Sequence, residues 1–295
     1  MDSQRRPSGR AALLFRIRVV YKMTDIQIPA FTVTCLMITA IICVVTVLVA
    51  YYTLRDRVKL SQIILGMFSY VLVMLLENLL GILSGSLALP ETGGPLLLYS
   101  VGSVVLAREL IRYAAMGLGL RRSFRETDAA LGFALGFGGL YLLVCGAYYF
   151  NLYTAVREVT TQGLDAFLAG SGTDSAEALG VIETAVSQTG WQYIATGVNR
   201  VFYLVRELSL CLLLWYAMER EDRRIYYILV PVLHCLAVLP EGMYQAGMLE
   251  GTLVRDIAAC VLSAGIAALA AVEYNAKEDQ AAHFRGDRLR ARRRR

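Results

Sequence analysis

Long apolar runs, one after another, constrain this chain more than any other feature. They fall at about 31–53, 61–83, 96–119, 128–150, 192–217, 225–247 and 253–273. Each is long enough, at ~1.5 Å per residue, to cross a hydrocarbon core ~30 Å thick as a helix. A transmembrane β-barrel would show alternating segments of about ten residues instead, and none occurs. With 57% hydrophobic and 18% charged residues, the chain is too apolar to clothe a soluble domain. The expected fold is all-α, a polytopic transmembrane helix bundle of about seven spans.

Basic residues order the connections. The first carries Arg55, Arg57 and Lys59, the third Arg121, Arg122 and Arg125, and the fifth Arg220, Arg223 and Arg224. Residues 84–95 and 248–252 carry none, and 151–191 carry Arg157 alone. By the positive-inside rule the odd connections and the basic tail, 274–295, face the cytoplasm and the N-terminus faces out, in the cytoplasmic (plasma) membrane. The tail, rich in arginine from Arg285 to Arg295, is expected to lie beside anionic lipid rather than nucleic acid. Residues 1–22 are also basic (Arg5, Arg6, Arg10, Arg16, Arg18, Lys22), which conflicts with an outside N-terminus. A true start at Met23 removes the conflict, leaving a transmembrane domain at 23–273. Residues 151–191 are expected as an acidic external loop containing a short helix from Ala176 to Ser187. Gly132 and Gly136 stand at GxxxG spacing, a close-packing face for another helix of the chain. The six cysteines lie in apolar runs without a CxxC pair and read as small packing residues.

Ionisable groups inside hydrocarbon are costly and mark function by default. Here they are Glu77, Arg108, Glu109, Arg112, Arg200, Arg206, Glu207, His234 and Glu241. Counting helical rise places Glu109, Arg206, Glu207 and His234 in one layer, ~18–20 Å from the outer face, and Glu77, Arg200 and Glu241 in another at ~8–10 Å. Glu109 and Arg112 share a helix face, as do Arg200, Tyr203 and Glu207. A set of salt bridges that fixes packing accounts for such a layer. So does a water-activating site, since an acid, a guanidinium and an imidazole stand at one level.

Three segments carry a resemblance: Arg108-Glu109-Leu110-Ile111-Arg112-Tyr113; Arg200 through Arg206-Glu207 to Leu210; and His234-Cys235-Leu236 leading to Tyr244-Gln245-Ala246-Gly247. From about Met23 to residue 273 the chain resembles the YhfC family of glutamic-type intramembrane proteases, distant relatives of the CAAX prenyl proteases. The resemblance implies that paired glutamates, an arginine and later histidines activate water for attack on a peptide bond. Glu109, Arg112 and His234 match that pattern. Arg108 stands where the first glutamate is expected, Glu207 where a histidine is, and Val238 where an acid is. A Gly-His-Gly-Gly-x-Glu stretch falls on Gly136 to Tyr141, with Phe137 and Tyr141 in place of its His and Glu.

The candidate catalytic set is therefore Glu109, Arg112, Glu207 and His234, with Arg108 and Glu207 as departures. A guanidinium beside Glu109 weakens it as a base, and an Arg108–Glu207 salt bridge is expected where the family places acid and imidazole. Three functions fit: a degenerate, non-catalytic binding or regulatory protein; an active intramembrane protease using Glu109 and His234; and a small transporter or lipid-binding protein holding an anionic head group with Arg112, Arg200 and Arg206. Transport predicts an internal repeat, and none is evident. No cofactor is expected, and zinc fits poorly, because one in-membrane histidine with arginine-paired acids falls short of three protein ligands. The expected partners are membrane lipid and a transmembrane segment of another protein, with no nucleic acid.

Overall fold

A computed structural model describes residues 28–86, 92–120, 127–170 and 175–293. Among them every regular element is helical: α1 (Ala30–Leu54), α2 (Leu60–Ser86), α3 (Gly94–Ala114) with a π turn (Ala115–Leu120), α4 (Asp128–Gln162), α5 (Leu164–Gly170), α6 (Ser175–Val186), α7 (Gly190–Glu219), a 3-10 turn (Glu221–Arg223), α8 (Tyr226–Gln245) and α9 (Thr252–Arg293). Seven of these stretches are long and apolar enough to span a membrane. The chain is an all-α multi-pass membrane protein, as expected. The basic extension 1–22 and the Met23 start lie outside the described residues.

The distribution of polarity is that of a protein dissolved in lipid. Leu48 and Val49 on α1, Leu75 and Ile82 on α2 and Val261 on α9 are more than half exposed, whereas Arg112, Glu207 and His234 are 0% exposed. In water this arrangement would be inverted; in hydrocarbon, outward apolar side chains cost nothing and charges must turn inward.

The chain forms two compact units, one of Met1–Met37 with Tyr149–Tyr193, the other of Ile38–Tyr148 with Ile194–Arg295. All seven spans contribute to the second. Its core is Tyr70, Phe133, Phe137, Leu213, Trp215 and their neighbours. The GxxxG face on α4 packs as expected, within the chain. A Cβ on Gly136 would stand 2.0 Å from the Ile63 carbonyl oxygen, and one on Gly132 would stand 2.9 Å from the Gln62 Cβ. Gly66 of α2 answers from the other side, its Cβ position 2.0 Å from the Phe133 carbonyl oxygen. Between helices immersed in lipid, such backbone proximity replaces hydrophobic burial as the source of association.

Polar ties fix the ends of this unit. Arg57, in the first connection, donates to Asp128 at the start of α4 (2.8 Å) and to the Tyr274 hydroxyl on α9 (2.7 Å). Arg223, in the fifth connection, donates to Glu273 at 2.9 Å, and the Tyr226 hydroxyl donates to the same carboxylate at 2.7 Å. The basic first and fifth connections thus share one end with the entry to α4 and the exit from α9. At the opposite end Gly93, in the left-handed region at φ 89°, gives its N–H to the Ala246 carbonyl at 3.0 Å.

The other unit holds residues 151–191, expected as an acidic external loop containing a short helix. Residues 151–191 are largely helical: α4 runs on to Gln162, and α5 and α6 follow. The short helix expected from Ala176 to Ser187 is α6, Ser175–Val186. The Tyr193 hydroxyl donates to the Ala185 carbonyl at 3.0 Å, and Trp191 lies against Phe31 with ring centroids 5.3 Å apart.

The backbone contact at Gly136 predicts that Gly136→Ala lowers the thermal unfolding temperature in detergent, by an overpacking cost of ~1–3 kcal/mol. Gly81→Ala, where an added Cβ meets nothing within 4 Å, leaves it unchanged. Equal melting of the two variants would refute the packing role.

Candidate functional site

The polar centre is built by α3, α7 and α8. Glu109 and Arg112 are one turn apart on α3, and Arg112 donates to Glu109 Oε1 and to Glu207 Oε2 of α7, both in close contact. Arg206 approaches the other oxygen of Glu207 at 3.6 Å. His234 of α8 closes the group, its Nδ1 2.5 Å from Glu109 Oε1. An ionised carboxylate only accepts, so Nδ1–H donates, and in the neutral imidazole Nε2 is then an acceptor. Among the described residues Nε2 and Glu109 Oε2 have no hydrogen-bond partner.

Charge balance explains why this group survives in hydrocarbon. Arg112, Arg206, Glu109 and Glu207 are each at most 6% exposed and sum to zero net charge. Burying ions costs several kcal/mol each, and only close, complete pairing returns it. Phe137 contributes from α4, its ring centroid 5.5 Å from the Arg112 guanidinium carbon. Gly138 lets α7 come close: a Cβ there would sit 3.1 Å from Glu207 Cβ.

The backbone around His234 is held by a device of its own. Pro231, three residues earlier inside α8, has no N–H to give the Tyr227 carbonyl one turn back. The Tyr113 hydroxyl, next to Arg112, donates to that carbonyl at 2.5 Å. A freed backbone acceptor is thus satisfied from a neighbouring helix, the condition for a proline within a span.

The residues expected in the deeper layer, Glu109, Arg206, Glu207 and His234, do meet. The expected Arg108–Glu207 salt bridge does not form. Arg108 instead donates to Glu77 of α2 at 2.9 Å and to the Tyr203 hydroxyl at 2.9 Å. Glu207 is taken by Arg112, one turn further along α3 and 0% exposed where Arg108 is 8%. The second layer is divided: Glu77 goes to Arg108, Glu241 pairs with Arg255 at 3.3 Å, and Arg200 donates to the Tyr141 hydroxyl.

One polar cluster escaped the sequence reading. Asp256, 1% exposed on α9, accepts from Thr196 (2.7 Å), Asn199 (2.9 Å) and its neighbour Arg255 (3.0 Å). Arg255 and Asp256 sit a few residues inside the last span, where an end-of-helix charge is easily taken for a snorkelling group. The signal available was their adjacency, an acid and a base together at a span entrance.

Among the described residues no group of three His, Cys, Asp or Glu side chains is placed to hold a metal ion. What occupies the middle of the donor set is the Arg112 guanidinium. Removing it strands two buried carboxylates, so Arg112→Met is expected to cost ~3–5 kcal/mol. The triple variant with Glu109→Gln and Glu207→Gln recovers part of that loss in a detergent melt. No difference between the single and triple variants would refute the electrostatic account. Tyr113→Phe, leaving one carbonyl unsatisfied, costs ~1 kcal/mol.

Comparison with known proteins places this arrangement. A profile described as the YhfC intramembrane metalloprotease matches residues 38–259. The "Uncharacterized membrane protein YhfC" of Bacillus subtilis (strain 168) is 24% identical over 155 residues, which are 52% of this chain and 58% of the relative. The chain therefore spans less than two thirds of that relative. No solved structure matches. The family description names metal chemistry, where the sequence reading took the family to be glutamic-type. Since the match takes in well over half of the chain and every residue of the polar centre, the chain belongs to the YhfC intramembrane metalloprotease family.

Proposed function

We propose that this chain is a catalytically degenerate member of its family, a membrane protein that keeps the protease core as a binding or regulatory scaffold. The observation that carries this reading is the buried Arg112, bonded at once to Glu109 and Glu207. A catalytic zinc uses three protein ligands and keeps one open position. Here Glu109 and Glu207 are committed to a guanidinium, and His234 is bonded to Glu109. The residues present do not fit a catalytic metal, and the charge-neutral group would become strongly positive if a dication joined it. His234 is also 0% exposed, with no open face toward a substrate. The positions where the family pattern has His and Glu hold Phe137 and Tyr141, rings that lie against Arg112 and Arg200.

One observation favours a second reading, a working peptidase. The Glu109–His234 contact orients an imidazole whose Nε2 is an unused acceptor, the form a general base takes. By charge alone, the end that gathers the basic connections faces the cytoplasm in either reading.

Two measurements on the purified full chain separate them. Elemental analysis after metal-free purification is expected to find no stoichiometric zinc. Incubation with a transmembrane reporter library in detergent is expected to give no cleavage. Stoichiometric zinc lost in His234→Ala, or cleavage lost in both Glu109→Ala and His234→Ala, would overturn the degenerate reading.

A further inference from the structure

A cavity of about 240 Å³ opens among α3, α4, α7, α8 and α9, to one side of the Arg112 group. Arg108, Arg200 and Arg206 line it together with Tyr141, Tyr203 and Asn199. One carboxylate, Glu241, also lines it, and that carboxylate is engaged by Arg255 at 3.3 Å. Three guanidinia therefore share one small space with that acid; Arg108 is also bonded to Glu77 at 2.9 Å, and Arg206 stands 3.6 Å from Glu207.

Arg206 is the informative member. It is 5% exposed, yet among the described residues its Nε has no hydrogen-bond partner, and Glu207 stands at 3.6 Å, too far for a hydrogen bond. Its guanidinium carbon lies 4.6 Å from the centre of the Tyr203 ring. A ring attracts a cation without using its N–H donors. Arg200 likewise lies over Tyr141, 5.4 Å from the ring centre, and donates to its hydroxyl. Rings at these positions hold the two arginines in place against the cavity.

The size and position of the cavity narrow its ligand. It is below the ~300 Å³ at which pockets for drug-sized molecules begin, so it suits one polar group rather than a peptide segment. Its rim includes Gln245, the exposed last residue of α8, and Glu241, 43% exposed one turn below. The mouth is thus within ~6 Å of the end of α8, and Arg206, six residues beyond Arg200 on α7, lies ~9 Å deeper. Guanidinium forks match tetrahedral oxyanions in geometry as well as charge.

We propose that this cavity binds a phosphate group, with Arg206 and Arg200 as its principal donors. The phosphate belongs to an anionic lipid head group or to a free anion, and the experiment below separates the two. The site is distinct from the Glu109–His234 centre, and its occupancy is read without reference to proteolysis.

The full chain in phosphatidylcholine nanodiscs is titrated with phosphatidic acid, followed by native mass spectrometry, and with inorganic phosphate, followed by calorimetry. Phosphatidic acid or phosphate is expected to bind at least about tenfold more tightly than phosphatidylcholine, and Arg206→Gln and Arg200→Gln each to weaken it by about tenfold or more. Arg206→Lys keeps the charge and the fold but not the fork, and is expected to fall between wild type and Arg206→Gln. Arg224→Gln, at an exposed connection, is expected to change nothing. Competition by inorganic phosphate assigns a free anion; binding of phosphatidic acid alone assigns a lipid; either supports the site. Equal retention of phosphatidic acid and phosphatidylcholine without phosphate binding, or a preference that survives both Arg206→Gln and Arg200→Gln, would overturn it.

Discussion

The Arg112 guanidinium is the contact on which the interior depends. It is fully buried in a span and reaches two carboxylates from two helices. In hydrocarbon no water competes for those charges, so the attraction is strong and the penalty for incomplete pairing is equally strong. The consequence is geometric. α3 and α7 must lie where a single planar fork can meet both Glu109 and Glu207, and α8 must then bring His234 to the oxygen of Glu109. Apolar packing alone would not choose this register, because lipid tails solvate leucine as well as another helix does.

Glycine and proline make room for that arrangement. The α4 stripe lets α2 approach at Gly132 and Gly136, and Gly138 lets Glu207 approach from α7. The smallest side chains thus determine how near the charged ones can come. Pro231 frees the Tyr227 carbonyl, and Tyr113 recovers it. Since Tyr113 follows Arg112 directly, the residue that completes the ion group and the residue that repairs the α8 backbone are carried by one turn of α3.

Much of this was legible in the sequence, and the failures have a common cause. Hydropathy located all seven spans, and helical rise placed Glu109, Glu207 and His234 at one depth, because both depend on position along a helix. Pairing depends on rotation about the helix axis and on which neighbours are adjacent, which a single chain does not encode at that resolution. Arg108 and Arg112 lie one turn apart on the same helix; the sequence reading gave Glu207 to the first, and it belongs to the second. The length of α4 was missed for a related reason. Hydropathy reports where lipid contact ends, and the helix continues beyond that point to Gln162. The Asp256 cluster was missed because its partners, Thr196 and Asn199, are neutral and only become conspicuous once an acid is seen to need them.

A metal ion at the centre of a protease does two separable things: it holds ligands from several helices together by charge, and it leaves a coordination position at which water is activated. A guanidinium can do only the first. It is a permanent monocation with fixed N–H directions, it has no vacant position, and it withdraws the carboxylates it binds from acid–base work. Under the proposed reading, Arg112 supplies the cohesion and not the chemistry. The aromatic residues fit the same logic. Phe137 under Arg112 and Tyr141 beside Arg108 and Arg200 are ring partners for cations, and would contribute little to a metal. On that reading helix positions are kept by electrostatics without the reaction, and the guanidinia beside this group are what the proposed anion site uses.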